Sequence, residues 1–218
     1  MKKLYGIGIG PGDPDLITVK AVKLIQGASK VFVPKSKTES LAGSIAGEYL
    51  EGKEVIELQF PMGKDNRERY IKAAATINDA LEDGEYTVFL TLGDPLVYST
   101  FMYLMIEAKK LGITVATVPG ITSYNAAASL LVQPITTRDQ SFYLADGQVD
   151  EQILERVDSV CVLKTTKNKE ETLDKLERHG FSYTYVKRCT REGELILTDR
   201  EAILQDRDYM SLILAKKG

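Results

Sequence analysis

Short apolar runs alternate with segments of helical periodicity over the first two thirds of the chain. The runs have the length and composition of buried strands and lie at 4–9, 31–33, 54–58, 86–92 and 114–118. Helical patterns separate or follow them, at 15–26, 40–50, 66–82, 99–110 and 122–131. Pro34 is expected to stop the second strand, and Thr18 or Asp15 to cap the first helix. Strands that alternate with helices predict crossover units and a mostly parallel sheet.

The last third of the chain has a different pattern. Strands are predicted at 141–145, 160–164, 183–188, 194–198 and 209–215. Helices are predicted at 151–157 and 169–179, the second ending at Gly180 as a C-terminal cap. Three late strands with few helices between them indicate a mixed or antiparallel sheet. The segment 132–138 breaks both periodicities, so we predict an α/β protein with an N-terminal lobe at 1–135 and a C-terminal lobe at 136–218.

Composition narrows the class of protein. The chain has 218 residues, 44% of them hydrophobic, which is enough for one large core or two small ones. A net charge of −3 argues against nucleic-acid binding through the whole surface. Cys161 and Cys189 have no CxxC spacing and are expected to be free thiols. Because we find neither a signal peptide nor a long apolar run, we expect a cytoplasmic protein without a membrane span.

The first strand runs into a glycine-rich turn, Gly6-Ile-Gly-Ile-Gly-Pro-Gly-Asp-Pro14. Such a turn either brings a ligand close to main-chain amides or is simply tight. The dinucleotide fingerprint GxGxxG is missing, because Pro11 follows Gly8 by three positions and Asp13 follows Gly10. A second near-match, to a phosphate-binding loop at 47–54, has Glu54 in place of Ser or Thr and runs from helix to strand. We therefore disfavour a dinucleotide site and reject the phosphate-binding loop.

Two further turns place polar groups at the carboxyl ends of predicted parallel strands, where ligands bind in open α/β sheets. Asp94 follows the fourth strand, where it is either a ligand contact or a helix cap. Thr122 and Ser123 follow the fifth strand and either contact a flat ring or cap the next helix. If the sheet is parallel, all three turns face one region.

Conspicuous acid–base chemistry is missing from the sequence. His179 is the only histidine, and nothing near it supports a catalytic triad. We find no metal-ligand cluster, and we assign no catalytic residue. Four basic residues are candidate anchors for an acidic substrate, although such residues are more often solvated: Arg138, Lys187, Arg188 and Arg191.

The ordered motifs GIGIGPGDPDLIT, GDPLVYSTF and VPGITS resemble those of the tetrapyrrole methylase family. Similarity continues through the second lobe. Within the family, GDPLVYSTFMYL, Leu163-Lys164, Tyr185-Val-Lys-Arg188 and the final strand are most similar to the branch that methylates carbon 20 of precorrin-2 or cobalt-precorrin-2 in cobalamin synthesis. The resemblance implies two α/β lobes with S-adenosylmethionine in the cleft between them, a tetrapyrrole acceptor and a homodimer. Thr165-Thr166 departs from the glycine-containing turn of many relatives.

The resemblance also implies roles for particular residues. The cofactor contacts that it implies are Pro11, Gly93, Asp94, Val97, Thr122, Ser123, Lys164, Cys189 and Leu214. The acceptor contacts that we expect are Tyr98, Ser99, Arg138 and Arg188. Because the sulfonium already carries an activated methyl group, the protein is expected mainly to bind, orient and exclude water.

Several alternatives keep part of this interpretation. A family member could act at another corrin carbon, or on a macromolecule, as diphthine synthases and ribosomal RNA methyltransferases do. A non-enzymatic tetrapyrrole-binding protein is a further alternative, although the intact Gly93-Asp94-Pro95 motif argues against a degenerate site. An NAD-dependent oxidoreductase is disfavoured by the missing fingerprint.

Overall fold

A computed structural model describes residues 1–35, 40–60 and 67–218. The chain divides into two compact units, Met1–Thr122 and Ser123–Gly218. The division lies ahead of the segment 132–138, because helix α5 (Ser123–Leu130) packs on the last strand of the second unit. The lobe boundary at 135/136 stays a prediction.

The first unit is built on a parallel sheet. Its strands are β1 (Lys3–Gly8), β2 (Val31–Lys35), β3 (Val55–Gln59), β4 (Tyr86–Thr91) and β5 (Thr114–Val118). Its helices are α1 (Val19–Gly27), α2 (Leu41–Ile45), α3 (Arg67–Ala80) and α4 (Phe101–Lys110), with 3-10 turns at Pro14–Leu16 and Gly47–Tyr49. The strand order is β3-β2-β4-β1-β5, with parallel pairing throughout. The predicted parallel sheet is confirmed.

Two details of the first unit differ from the sequence pattern. The helix predicted at 15–26 is a 3-10 turn followed by α1, which Thr18 caps by accepting the N–H of Ala21 at 3.3 Å. The prediction that Pro34 ends β2 is wrong, since the strand continues to Lys35. Strand β2 pairs with β4 only as far as Phe32, so Pro34 is not paired with β4. The missing N–H of the proline therefore breaks no hydrogen bond between these two strands. The start of the helix predicted from residue 66 lies outside the described residues.

Both faces of the parallel sheet are largely buried at its inner strands β1, β2 and β4. One face, with Ile7, Val31 and Val88, packs beneath α1 and α2. The other face, with Phe32 and Phe89, packs beneath α3 and α4. Burial on both sides explains why these strands are continuously apolar rather than alternating.

The second unit contains α5 and a mixed sheet. Its strands are β6 (Phe142–Asp146), β7 (Ser159–Leu163), β8 (Phe181–Lys187), β9 (Leu195–Leu197) and β10 (Ser211–Lys217), in the order β6-β7-β10-β8-β9. Only β6 and β7 pair in parallel among the described strands of this sheet. Its other helices are α6 (Glu151–Leu154), α7 (Lys169–Arg178) and α8 (Arg200–Gln205). The predicted mixed sheet is confirmed.

The sequence pattern missed α8 and placed β10 two residues too early. Helix α8 has six residues and is capped by Asp199, which accepts the N–H of Ala202 at 2.9 Å. Strand β10 starts at Ser211 rather than at 209, because two aspartate turns precede it. Asp206 accepts the N–H of Asp208 and Asp208 that of Met210, at 2.8 and 2.9 Å. The C-terminal cap at Gly180 is confirmed by its φ of 73°.

Candidate functional site

The turns after β1, β4 and β5 meet at one edge of the first unit, because these strands are neighbours in the sheet. We call Gly8, Gly10, Gly93 and Gly120 the glycine junction. The N–H of Gly93 donates to the carbonyl oxygen of Gly10 at 2.7 Å. A Cβ on Gly120 would lie 2.1 Å from the carbonyl oxygen of Gly93, and a Cβ on Gly8 2.6 Å from the nitrogen of Gly120. Glycine is required here so that the main chains can touch.

Asp94 ties two of these turns together. Its Oδ1 accepts the N–H of Leu96 at 2.8 Å, and its Oδ2 accepts the N–H of Gly120 at 3.1 Å. The alternative that Asp94 caps a helix is wrong, since α4 begins only at Phe101. Its carboxylate therefore holds the turn after β5 against the turn after β4.

The other predicted residues of the first unit lie on or beside the same turns. Pro11 and Thr122 are buried, and Val97 is half-buried. Tyr98 is exposed, with a φ of 45° that is unusual for a residue with a side chain. Ser99 is buried, and its hydroxyl lies 3.0 Å from that of Thr91 and accepts the N–H of Phe101 at 3.1 Å. The Ser99 hydroxyl thus supports the loop that carries Tyr98.

In the second unit, β6, β7 and β8 end at the same side of the sheet where β10 begins. Leu163 pairs with Leu212, and Lys187 pairs with Ser211. We call Asp146, Lys164, Arg188, Cys189 and Asp208 the strand-end edge. Lys164 and Arg188 have φ values of 53° and 48°, and residues in such sparsely populated conformations cluster at functional sites.

Ion pairs organise the strand-end edge. Lys164 Nζ lies 3.0 Å from Asp146 Oδ2, and Arg188 Nε lies 2.6 Å from Asp208 Oδ2. Burial, together with the charge of Glu194, raises the pKa of the Cys189 thiol to about 11, so this thiol is protonated at neutral pH. Cys189 is therefore suited to packing rather than to nucleophilic chemistry.

Two predicted residues of the second unit lie away from this edge. Leu214 is buried three residues inside β10, beside Cys161. Arg138 is exposed in the turn before β6, at the opposite end of that strand. The turn is held by Thr136, whose hydroxyl donates to the carbonyl oxygen of Gln140 at 2.9 Å. The structure brings Lys164, Arg188 and Cys189 together, but not Leu214 or Arg138.

A polar network beside the strand-end edge was missed by the sequence analysis. Asp206 accepts hydrogen bonds from Lys187 Nζ at 2.6 Å and from the Tyr185 hydroxyl at 2.8 Å. Lys169 is buried and donates to the carbonyl oxygens of Ile203 and Asp206 at 2.9 and 2.7 Å. The spacing of Asp206 and Asp208 before a strand is a turn signal, whereas nothing in the sequence marks Lys169 as buried.

Within the described ranges 1–35, 40–60 and 67–218, no group of three or more histidine, cysteine or acidic residues could hold a metal ion. Within the same ranges, every helix is too short or too polar to cross a membrane.

The first unit has a parallel sheet with candidate ligand-binding turns after three adjacent strands, and the second unit has a mixed sheet. The class of protein that these features define is an α/β protein of two units. Comparison with known families then identifies the chain. It belongs to the tetrapyrrole (corrin/porphyrin) methylases, whose sequence profile matches residues 3–204. The resemblance found in the sequence motifs is thereby confirmed.

Individual relatives support this assignment. A probable cobalt-precorrin-2 C(20)-methyltransferase of Methanocaldococcus jannaschii is 36% identical over all of this chain and 97% of its own length. A cobalt-precorrin-2 C(20)-methyltransferase of Salmonella typhimurium is 33% identical over 74% of this chain and 72% of its own. A uroporphyrin-III C-methyltransferase from Thermus thermophilus, solved with S-adenosylhomocysteine, has a TM-score of 0.75 at 24% identity, covering 97% of this chain and 96% of that one.

Proposed function

We propose that the chain is an S-adenosylmethionine-dependent methyltransferase that methylates carbon 20 of cobalt-precorrin-2 in cobalamin biosynthesis. The observation that carries this proposal is the relative from M. jannaschii, which matches the whole chain and is named for that reaction. The relative from S. typhimurium bears the same activity in its name. Both names specify the cobalt-containing acceptor, which favours it over metal-free precorrin-2.

The first unit has features that fit the cofactor. At Gly93 the main chain has a φ of 66°, and the space where a Cβ would point is open to 4 Å. A nucleoside could therefore approach the main chain beside the glycine junction. S-adenosylmethionine would supply an activated methyl group. We propose that Pro11, Gly93, Asp94, Val97 and Thr122 form the first-unit part of its site.

A second set of contacts is proposed from the second unit. Lys164 and Cys189 on the strand-end edge, with Ser123 and Leu214, remain candidates for the cofactor. Tyr98, Ser99, Arg138 and Arg188 remain candidates for the acceptor. Their part would be to bind and align the two reactants, since alignment alone can lower a barrier by roughly 7–11 kcal/mol.

Assay of methyl transfer tests the function. We expect the purified chain to transfer one labelled methyl group from S-adenosylmethionine to cobalt-precorrin-2, and NMR to locate it on carbon 20. Precorrin-2 without cobalt, assayed in parallel, should be a poorer acceptor. Transfer to another carbon would refute the regiochemistry. Absence of transfer to either acceptor, with cofactor binding intact, would refute the acceptor class.

The proposal includes a homodimer, as the family resemblance implies, and a cytoplasmic location. Sedimentation analysis should give twice the chain mass of 24.2 kDa. A monomer would refute this part alone.

A further inference from the structure

The turn that follows β8 carries two guanidinium groups, those of Arg188 and Arg191. Arg188 Nε donates to Asp208 Oδ2 at 2.6 Å. Within the part of the chain that the structure describes, this is the only hydrogen bond of the Arg188 side chain, which is 48% exposed. Because Nε is held, the guanidinium plane is fixed while its two Nη groups remain available to a ligand.

The turn is shaped around this arginine. Arg188 and Thr190 have φ values of 48° and 64°, which cost free energy for residues with side chains. Two hydrogen bonds hold them there: Arg188 N donates to the carbonyl oxygen of Met210 at 2.8 Å, and Thr190 N donates to Glu194 Oε2 at 2.6 Å. A Cβ on Gly193 would lie 3.2 Å from Arg188 Nη1, so glycine leaves room for the guanidinium.

Arg191 lies within electrostatic reach of the same pair. Its N–H donates to the carbonyl oxygen of Arg188 at 2.9 Å. Burial and the positive charge of Arg188 lower the pKa of Arg191, whereas Asp208 raises it. Arg191 therefore adds positive charge near the pair of Arg188 and Asp208, while the Glu194 carboxylate accepts the N–H of Thr190. A second carboxylate, brought by a ligand, would match the fork that Arg188 presents.

We propose that Arg188 binds a carboxylate of the tetrapyrrole acceptor, and that Asp208 is a positioning residue that orients Arg188. The inference rests on the proposed function, because it assumes an acceptor with carboxylate side chains. Asp208 is suited to this role because its other oxygen, Oδ1, accepts the N–H of Met210 at 2.9 Å. The main chain therefore fixes the orientation of the Asp208 carboxylate, which in turn orients the Arg188 guanidinium.

Steady-state kinetics with cobalt-precorrin-2 tests the proposal. We expect Arg188→Ala to raise KM for the acceptor about tenfold or more, as for loss of a charged hydrogen bond, with kcat and cofactor affinity nearly unchanged. Arg188→Lys should not restore KM, because lysine lacks the Nε that Asp208 holds. Asp208→Asn should raise KM less, and adding it to Arg188→Ala should change KM no further, since Asp208 acts only through Arg188.

Arg200→Ala is the matched control. Arg200 also forms an ion pair with an aspartate of this unit, with Nη2 2.5 Å from Asp174 Oδ1, but it lies on α8 rather than on the strand-end edge. Its KM should equal that of the wild type. An unchanged KM for Arg188→Ala, or an equal rise for Arg200→Ala, would overturn the proposal.

A binding experiment separates this proposal from the proposed reaction. If the wild-type chain methylates no precorrin, uroporphyrin serves as a polycarboxylate probe and its fully esterified form as the uncharged control. We expect the acid to bind more tightly than the ester, and Arg188→Ala to remove that difference. Equal binding of acid and ester to the wild type would contradict the carboxylate site.

Discussion

At the scale of single residues, Asp94 shows how far the sequence could be interpreted. The motif Gly93-Asp94-Pro95 after an apolar strand predicts a carboxylate at the carboxyl end of β4, where the structure has it. The hydrogen bond to Gly120 could not be predicted, because it depends on how the turns after β4 and β5 come together. The same holds for Lys169, whose burial results from packing between α7 and α8 rather than from any local pattern.

Substitution of Asp94 distinguishes two roles of its carboxylate. It either holds two turns together through their main-chain N–H groups or contacts the positive charge of the cofactor directly. Asparagine has one acceptor oxygen, so Asp94→Asn leaves the N–H of Leu96 or of Gly120 without its partner. We expect the affinities for S-adenosylmethionine and S-adenosylhomocysteine to fall by the same factor, about tenfold. Isothermal titration with both ligands measures this.

Asp150→Asn is the control for that substitution. Asp150 accepts the N–H of Gln152 at 2.9 Å, two residues ahead, as Asp94 accepts that of Leu96. Unlike the Asp94 carboxylate, this one does not join two separate turns. Its ligand affinities should equal those of the wild type. A selective loss of the cationic S-adenosylmethionine in Asp94→Asn would show that the carboxylate acts on the sulfonium charge instead.

At the scale of elements, the sequence predicted apolar strands and the ten-residue helix α7 well, but it missed a short helix and misplaced one strand boundary. Strands β4 and β5 and helix α7 lie within two residues of their predicted positions. Helix α8 was missed because six residues contain less than two turns of periodicity. The start of β10 was misplaced because its boundary is set by side-chain hydrogen bonds of Asp206 and Asp208, which compete with strand pairing.

Asp206 also makes the stability of these elements depend on pH. Burial alone would raise its pKa, but Lys187, the N–H of Asp208 and the Tyr185 hydroxyl outweigh burial and lower it from 3.8 to about 2. Since the folded-state pKa is the lower one, the stabilisation is present above about pH 4 and is lost as pH falls towards 2. It amounts to roughly 2 kcal/mol.

We therefore expect Asp206→Asn to be less stable at pH 7 by about 2 kcal/mol, because asparagine cannot form the partly buried ion pair with Lys187. Its stability should also fall less than that of the wild type between pH 4 and pH 2. Urea unfolding at several pH values measures both effects. Glu171→Gln, which breaks the exposed pair with Lys175 at 2.7 Å, should cost less than about 1 kcal/mol. If the free energy of unfolding of Asp206→Asn fell between pH 4 and pH 2 as much as that of the wild type, Asp206 would not be the source of the pH dependence.

At the scale of the whole molecule, the alternation of strands and helices predicted an α/β protein with one parallel and one mixed sheet. The order β3-β2-β4-β1-β5 could not be derived, because periodicity does not say which strands become neighbours. That order nevertheless decides the candidate site, since it makes β4, β1 and β5 adjacent and so brings three turns that are far apart in sequence to one edge. The missing GxGxxG in the first of these turns separates this edge from a dinucleotide site.

This difference predicts which nucleotide ligand stabilises the chain. A ligand that binds only the folded state adds about 2.7 kcal/mol when present at 100 times its dissociation constant. For a chain of 218 residues, this should raise the melting temperature by about 5–10 °C. We expect that rise with S-adenosylhomocysteine and none with NAD, because the glycine junction lets main chains touch each other where a dinucleotide fold would hold a pyrophosphate. Scanning calorimetry with each ligand measures it. A rise with NAD alone would contradict the methyltransferase assignment at its first step, cofactor binding, whatever acceptor was tested.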